Sequence, residues 1–167
     1  MTSPILTTER LALYRFSERD AAGIFALNLD PQVLRYTGDE PFASKEDARQ
    51  FLLDYQAVYE ATGMGRWTVR RKSDDAYLGW CGLKRHSDGS VDIGFRLLGE
   101  FWNRGYATEA AKACVAYGFE ALGVAEIIGR AVADNAASIR VLEKLGMAFR
   151  KTEQVEGLGE AVIYVKR

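Results

Sequence analysis

The sequence predicts a mixed α/β domain built around a single sheet. Three observations carry that reading. Apolar residues recur at helical spacing in some stretches and alternate with a period of two in others, so both element types are present. The two kinds interleave along the chain instead of separating into halves, which places them in one structure. Finally, 167 residues with 48% hydrophobic content suffice for one buried core, and no linker, low-complexity stretch or internal repeat divides them. The expected domain is 1–167.

Arg10 to Phe16 reads as a strand, ended by Ser17-Glu-Arg-Asp20, which also caps a helix from about Ala21 to Leu29. Pro31 opens a second short helical or turn segment. Ser44-Lys-Glu-Asp47 is a capping box with Asp in place of Glu, and starts a long helix to about Ala61 with Phe51, Tyr55 and Val58 at helical spacing. Thr62-Gly-Met-Gly65 ends it. Trp67 to Arg71 is a strand and Ser73-Asp-Asp75 a turn. Tyr77 to Lys84 is a nearly continuous apolar strand, hence central. His86-Ser-Asp-Gly89 is a hairpin turn with the histidine in solvent. Val91, Ile93, Phe95 and Leu97 alternate with Ser90, Asp92, Gly94 and Arg96, a strand with two distinct faces. Thr108 to Leu122 is a helix, with Ala111, Val115, Phe119 and Leu122 on one side. Glu126 to Ala133 is a strand. Asn135 caps a helix to Leu145, stopped by Gly146. Phe149 to Val155 and Ala161 to Lys166 are two closing strands around Gly157-Leu-Gly159.

Composition excludes several classes. A net charge of −1 lacks the basic excess of a general nucleic-acid binder. No apolar run approaches the roughly 20 residues that span a bilayer. The first ten residues lack the apolar core of a signal peptide. Cys81 and Cys114 stand apart with no CxxC, and His86 is the one histidine, so neither a disulfide framework nor a Cys/His metal site is expected and a cytoplasmic setting is the default. Charge is unevenly spread. Asp20 to Gly63 holds eight acids and three bases, a net −5, which leaves +4 for the remainder. Either these are solvated faces, or two partners of opposite charge meet different parts of the fold.

The strongest chemical signal is Leu97-Leu-Gly-Glu-Phe-Trp-Asn-Arg-Gly-Tyr-Ala-Thr-Glu-Ala110, where a strand passes through a glycine-containing loop into a helix. Loop N–H groups and the helix N-terminus together favour an anion. Gly105 and Ala107 leave room for a phosphate, and Arg104 can add a cation. The alternative is a plain strand-to-helix connection that needs Gly for its turn. No GxxxxGK[ST] loop is present. Gly63-Met-Gly-Arg-Trp-Thr68 precedes a strand instead of following one, which argues against a dinucleotide-binding oxidoreductase.

Phe101-Trp-Asn-Arg-Gly-Tyr-Ala-Thr-Glu-Ala110 resembles the acyl-coenzyme A motif of the GNAT acetyltransferase superfamily. Asn135-Ala-Ala-Ser-Ile-Arg-Val-Leu-Glu-Lys-Leu-Gly146 is similar to a second motif of that family, and Leu6-Thr-Thr-Glu-Arg-Leu11 to the start of its RimJ/RimL-like branch. Two positions depart from the superfamily pattern: Trp102, which is common in that branch, and Met147, where Phe is usual. The resemblance implies a GNAT fold and an N-acetyltransferase with acetyl-CoA as cosubstrate, no metal, and a monomeric or homodimeric state. It implies that the pyrophosphate lies on the backbone of Arg104, Gly105, Tyr106, Ala107 and Thr108, and the pantetheine arm beside Leu97 and Leu98. The Leu98 N–H would face the thioester oxygen as an oxyanion donor. Asn135 matches a position that binds the pantetheine arm, or is a helix cap alone. Ser138 matches a position near the sulfur that could protonate the thiolate, or bonds to its own backbone.

Acyl transfer needs a neutral amine, whereas α-amino groups titrate near roughly 8 and lysines near about 10.4. Asp92, on the strand feeding the loop and at an acidic position common in that branch, is the expected base, acting directly or through water; a solvated or Arg96-paired acid is the alternative. Glu109 reads as structural, and Tyr106 and Trp102 as packing residues. Neither cysteine lies in a matched motif, so the amine is expected to attack directly in a ternary complex. A non-catalytic acyl-CoA-binding or sensor protein on the same fold is the competing reading. Since the first two helices of this family usually wall the acceptor cleft, the acidic segment Asp20 to Gly63 implies a cationic acceptor, a small amine or a protein N-terminus.

Overall fold

The computed structural model describes residues 2–167, so Met1 of the expected domain lies outside the described residues. Eight strands form one sheet in the order β1-β2-β3-β4-β5-β6-β8-β7. They are β1 (Leu6–Thr7), β2 (Leu11–Arg15), β3 (Arg66–Arg71), β4 (Tyr77–Arg85), β5 (Val91–Leu97), β6 (Ile127–Val132), β7 (Ala148–Val155) and β8 (Gly159–Lys166). β1 was not expected, because two residues are too short to show a period. All neighbours are antiparallel except β5 and β6. Those two pair at Asp92 with Ile128 and diverge beyond it.

The helices are α1 (Ala21–Leu27), α2 (Pro31–Leu34), α3 (Lys45–Asp54), α4 (Gln56–Thr62), α5 (Tyr106–Glu120) and α6 (Ala136–Lys144). The Ser44 cap forms without the reciprocal Asp47 bond of a full capping box, and Asp30 adds a cap that was not expected. Ser44 accepts from the Asp47 N–H at 3.0 Å, and Asp30 from the Gln32 N–H at 2.9 Å. The long helix expected to run to Ala61 is interrupted at Tyr55. There the Gln56 side-chain amide donates to the Leu52 carbonyl at 2.9 Å and to the Phe16 carbonyl at 2.7 Å, which ties the interruption to the sheet.

One face of the sheet packs on α5 through Trp67, Leu83, Ile93, Val115 and Ile127. Contact is close: a Cβ on Gly118 would come within 2.8 Å of Leu83. The opposite face packs on α1 and α3 through Phe16, Ile24 and Leu52. Asp20 is buried there, accepting from Arg70 at 2.7 Å and Thr68 at 2.8 Å. Cys81 and Cys114, separated in sequence, meet in the core with sulfurs 3.7 Å apart. Burial and the neighbouring sulfur hold the Cys114 thiol well above its ordinary pKa, so it packs as a neutral group. No helix of the described residues is long and apolar enough to cross a membrane.

Candidate active site

The gap between β5 and β6 opens into a cavity of about 790 Å³. Strand pairing explains why the gap can hold a ligand. In an antiparallel pair, successive residues turn their polar backbone groups to opposite sides. The Leu98 N–H donates to the Leu78 carbonyl at 2.9 Å, across β4. This corrects the expectation for Leu98: its N–H is spent inside the sheet, and the residue is not on the cavity wall. The same alternation turns the backbone of Phe95 and Leu97 toward the gap, where β6 has diverged. The Leu97 carbonyl accepts from the Trp102 indole at 2.8 Å, while the Phe95 and Leu97 N–H groups face the opening.

The loop beyond β5 has the backbone form that an anion site needs. Asn103 (φ 61°) and Gly105 (φ 80°) are both left-handed and flank Arg104. Alternating backbone handedness of this kind gathers N–H groups into a concave anion nest. No N–H from Asn103 to Thr108 has an acceptor among the described residues; the first bonded one is Glu109, to the Gly105 carbonyl at 3.0 Å. α5 therefore begins at Tyr106, two residues earlier than expected. Gly105, Tyr106, Ala107 and Thr108 line the cavity. The Arg104 side chain does not; its guanidinium lies 6.0 Å from the Phe101 ring, and its carbonyl accepts from Arg10. Arg10 also stacks 4.3 Å over the Tyr106 ring. Glu109 anchors the first turn by accepting from Thr8, the Arg10 N–H and the Arg10 guanidinium at 2.7 Å. Burial pushes its carboxyl up, but these donors outweigh it and hold it below the usual range.

Across the gap, Asn135 caps α6, accepting from the Ser138 N–H at 3.3 Å, and lines the cavity with Ser138. The Ser138 hydroxyl makes no hydrogen bond among the described residues, so it is not consumed by its own helix.

Asp92 is placed differently from the expectation. It sits at the closed end of the β5–β6 divergence, off the cavity wall. It lies 2.9 Å from Arg66, not Arg96, and 2.9 Å from the His86 ring. His86, expected in solvent, thus folds back from its turn onto Asp92. A Cβ on Gly94 would meet the Arg66 guanidinium at 2.6 Å, so the missing side chain is what lets Arg66 lie across the strand. Its Oδ2 is held on the His86 ring, and its buried Oδ1, close to Arg66 but without a hydrogen bond, does not reach the cavity wall.

The acidic-wall expectation also fails. None of the eight acids between Asp20 and Gly63 lines the cavity. Asp20 is buried on Arg70, and Asp39 pairs with Arg96 at 2.7 Å. What that segment contributes to the wall is Gln32, Val33, Arg35, Tyr36 and Thr37. Five bases line the cavity (Arg35, Arg96, Arg130, Arg140 and Lys144), and no carboxylate or imidazole does among the described residues. Their positions carried weak sequence signals: Arg96 shares a strand face with Gly94, and Arg140 and Lys144 stand four apart on the helix that Asn135 caps.

The family described as acetyltransferase (GNAT) domain matches residues 10–148. An uncharacterized N-acetyltransferase, YoaA of Bacillus subtilis (strain 168), is 35% identical over 147 residues, covering 86% of this chain and 82% of its own. An acetyltransferase of the GNAT family from Bacillus anthracis superposes with a TM-score of 0.84 at 24% identity, covering 96% of both chains. A RimL ribosomal α-N-protein acetyltransferase in complex with coenzyme A superposes with a TM-score of 0.86 at 14% identity, covering 98% of this chain and 97% of its own; likeness at such identity speaks for the fold alone.

Proposed function

Because the chain belongs to the acetyltransferase (GNAT) domain family, we propose that it transfers an acetyl group from acetyl-CoA to a primary amine, by direct attack in a ternary complex. The observation that carries this reading is the β5–β6 gap ending on six consecutive unpaired N–H groups, Asn103 to Thr108. Those donors and the α5 dipole suit a pyrophosphate. The backbone of Phe95 and Leu97 suits the amides of a pantetheine arm, and Asn135 can bond to the same arm. Arg140 and Lys144 suit the remaining phosphate charge. Bound acetyl-CoA supplies an activated acyl group whose leaving thiolate is stable. Phe95 or Leu97, in place of Leu98, offers the N–H that stabilises charge on the acyl oxygen. Ser138 holds a free hydroxyl from which the thiolate can take a proton.

The attacking amine must be neutral. Nearby positive charge disfavours an ammonium, so Arg35, the wall base with neither an ion pair among the described residues nor a phosphate assigned to it, shifts the amine toward its neutral form, and its proton leaves to water. This field takes the part assigned to Asp92 by sequence. The opening Leu6 to Leu11 supports the RimJ/RimL-like branch within the family.

Calorimetry of acetyl-CoA binding, paired with detection of free CoA across a panel of amines, tests the proposal. Binding with turnover supports it; no binding overturns it. The absence of a carboxylate or imidazole on the wall favours a second reading, an acyl-CoA-binding protein without catalysis. Binding without turnover on any amine would establish that one.

A further inference from the structure

We propose that the acceptor amine carries a carboxylate and that Arg96 reads it, an inference that rests on the acetyl-transfer reading of the same cavity. Arg96 is built to hold an anion in a fixed place. Its side chain is 12% exposed and its guanidinium lies 5.1 Å from the Trp80 ring centroid. Nη1 donates to the Asn28 side-chain oxygen at 2.9 Å, which fixes the plane of the group. Nη2 donates at 2.7 Å to Asp39. The two sides of that pair differ sharply, because the Asp39 side chain is 57% exposed. Asp39 belongs to the irregular segment between α2 and α3, where its own N–H is held by Thr37.

Asp39 therefore stands in for an external carboxylate. An incoming carboxylate can take Nη2 while Asp39 turns into water. Exchange of one carboxylate for another keeps the guanidinium paired throughout, so no buried charge is stranded. Arg35, also on the wall and without an ion pair among the described residues, adds positive field on the same side. A diamine or basic peptide would meet Arg35 with like charge, whereas Arg96 and Arg130 are already paired with Asp39 and Glu153. Nη1 stays on Asn28, so the exchange is at Nη2 alone, a single donor that holds a carboxylate in this structure.

The test uses matched acceptors: amino carboxylates, their carboxamides, aminoalkyl phosphates and diamines. These are run on the wild type, Arg96→Gln and Asp39→Asn, with CoA release as the readout. Amino carboxylates are expected to exceed their carboxamides in kcat/KM by roughly tenfold to a hundredfold, the range for a hydrogen bond to a charged group. Arg96→Gln abolishes that preference. Asp39→Asn, an exposed substitution that removes the internal competitor, lowers KM for carboxylates several-fold and leaves the carboxamide KM in place. Carboxamides, diamines or phosphates matching the carboxylates on the wild type would overturn the proposal, as would a higher carboxylate KM in Asp39→Asn. If acetyl-CoA binds and no amine turns over, calorimetric titration of the amino carboxylates into the CoA-loaded protein decides. Heat lost in Arg96→Gln supports the inference, and no heat in the wild type overturns it. Failure of acetyl-CoA itself to bind is a separate result and counts against the acetyl-transfer reading.

Discussion

Gly105 meets two demands at one position. Its φ of 80° is unfavourable for any β-branched residue, and its N–H belongs to the anion nest. A Cβ there has only Arg10 Nη2 near it, at 3.4 Å, so Gly105→Val folds, at a strain cost of about 1–3 kcal/mol. Its methyl groups crowd the nest, and acetyl-CoA affinity measured by calorimetry is expected to fall roughly tenfold or more, the equivalent of one charged hydrogen bond lost. Asp92 makes the contrasting case. Asp92→Asn strands the Arg66 guanidinium, only 16% exposed, and lowers thermal stability by up to about 3–5 kcal/mol. Its kcat falls less than about tenfold, below the 10²–10⁴-fold of a lost general base. In both proteins the rising limb of kcat/KM against pH is expected to follow the pKa of whichever amine is supplied; a fixed limb that disappears in Asp92→Asn would restore the carboxylate to the chemistry. The turn at Gly105 and the start of α5 were legible in sequence because a left-handed residue before a helix favours glycine. Arg66 and His86 were not. They lie 26 and 6 residues from Asp92, and neither separation belongs to any local period.

Elements with a strong period were found nearly to the residue: β4, β5 and α6 start or end within a position or two of their expected bounds. Boundaries set by tertiary contacts were not. The Tyr55 interruption depends on Gln56 reaching the Phe16 carbonyl, a contact across 40 residues. The direction of polar backbone groups in β5 likewise follows from its register with β4, which no single strand reveals; hence the error at Leu98. At this scale Glu109 ties the first turn of α5 to the chain before β2. Its folded pKa is lowered, so its stabilisation is complete above the unfolded value of about 4.3 and fades as pH falls through the folded one. Glu109→Gln is therefore expected to melt below the wild type at neutral pH, with the two melting curves converging on acidification.

In the whole molecule, β1 to β5 form one antiparallel block and β6, β8 and β7 another, joined in the sheet at Asp92 and Ile128. Beyond that point the edges are bridged by no backbone bonds, and side chains from α5 and α6 complete the junction. A ligand lying in the gap would bond to both edges. Acetyl-CoA is thus expected to slow amide hydrogen exchange at Phe95, Leu97 and Val132 together, and by mass action to add about 2.7 kcal/mol of stability at a hundred times its Kd. Unchanged exchange at those three amides would separate binding from the gap. The same junction sets how fast the protein is destroyed. Where proteases sample a transiently opened form, cleavage follows the population of that form. A molecule whose two blocks share one backbone-paired position is then expected to be longest-lived when acetyl-CoA is abundant and to be cut first when it is scarce, and limited proteolysis across an acetyl-CoA titration reads that dependence directly.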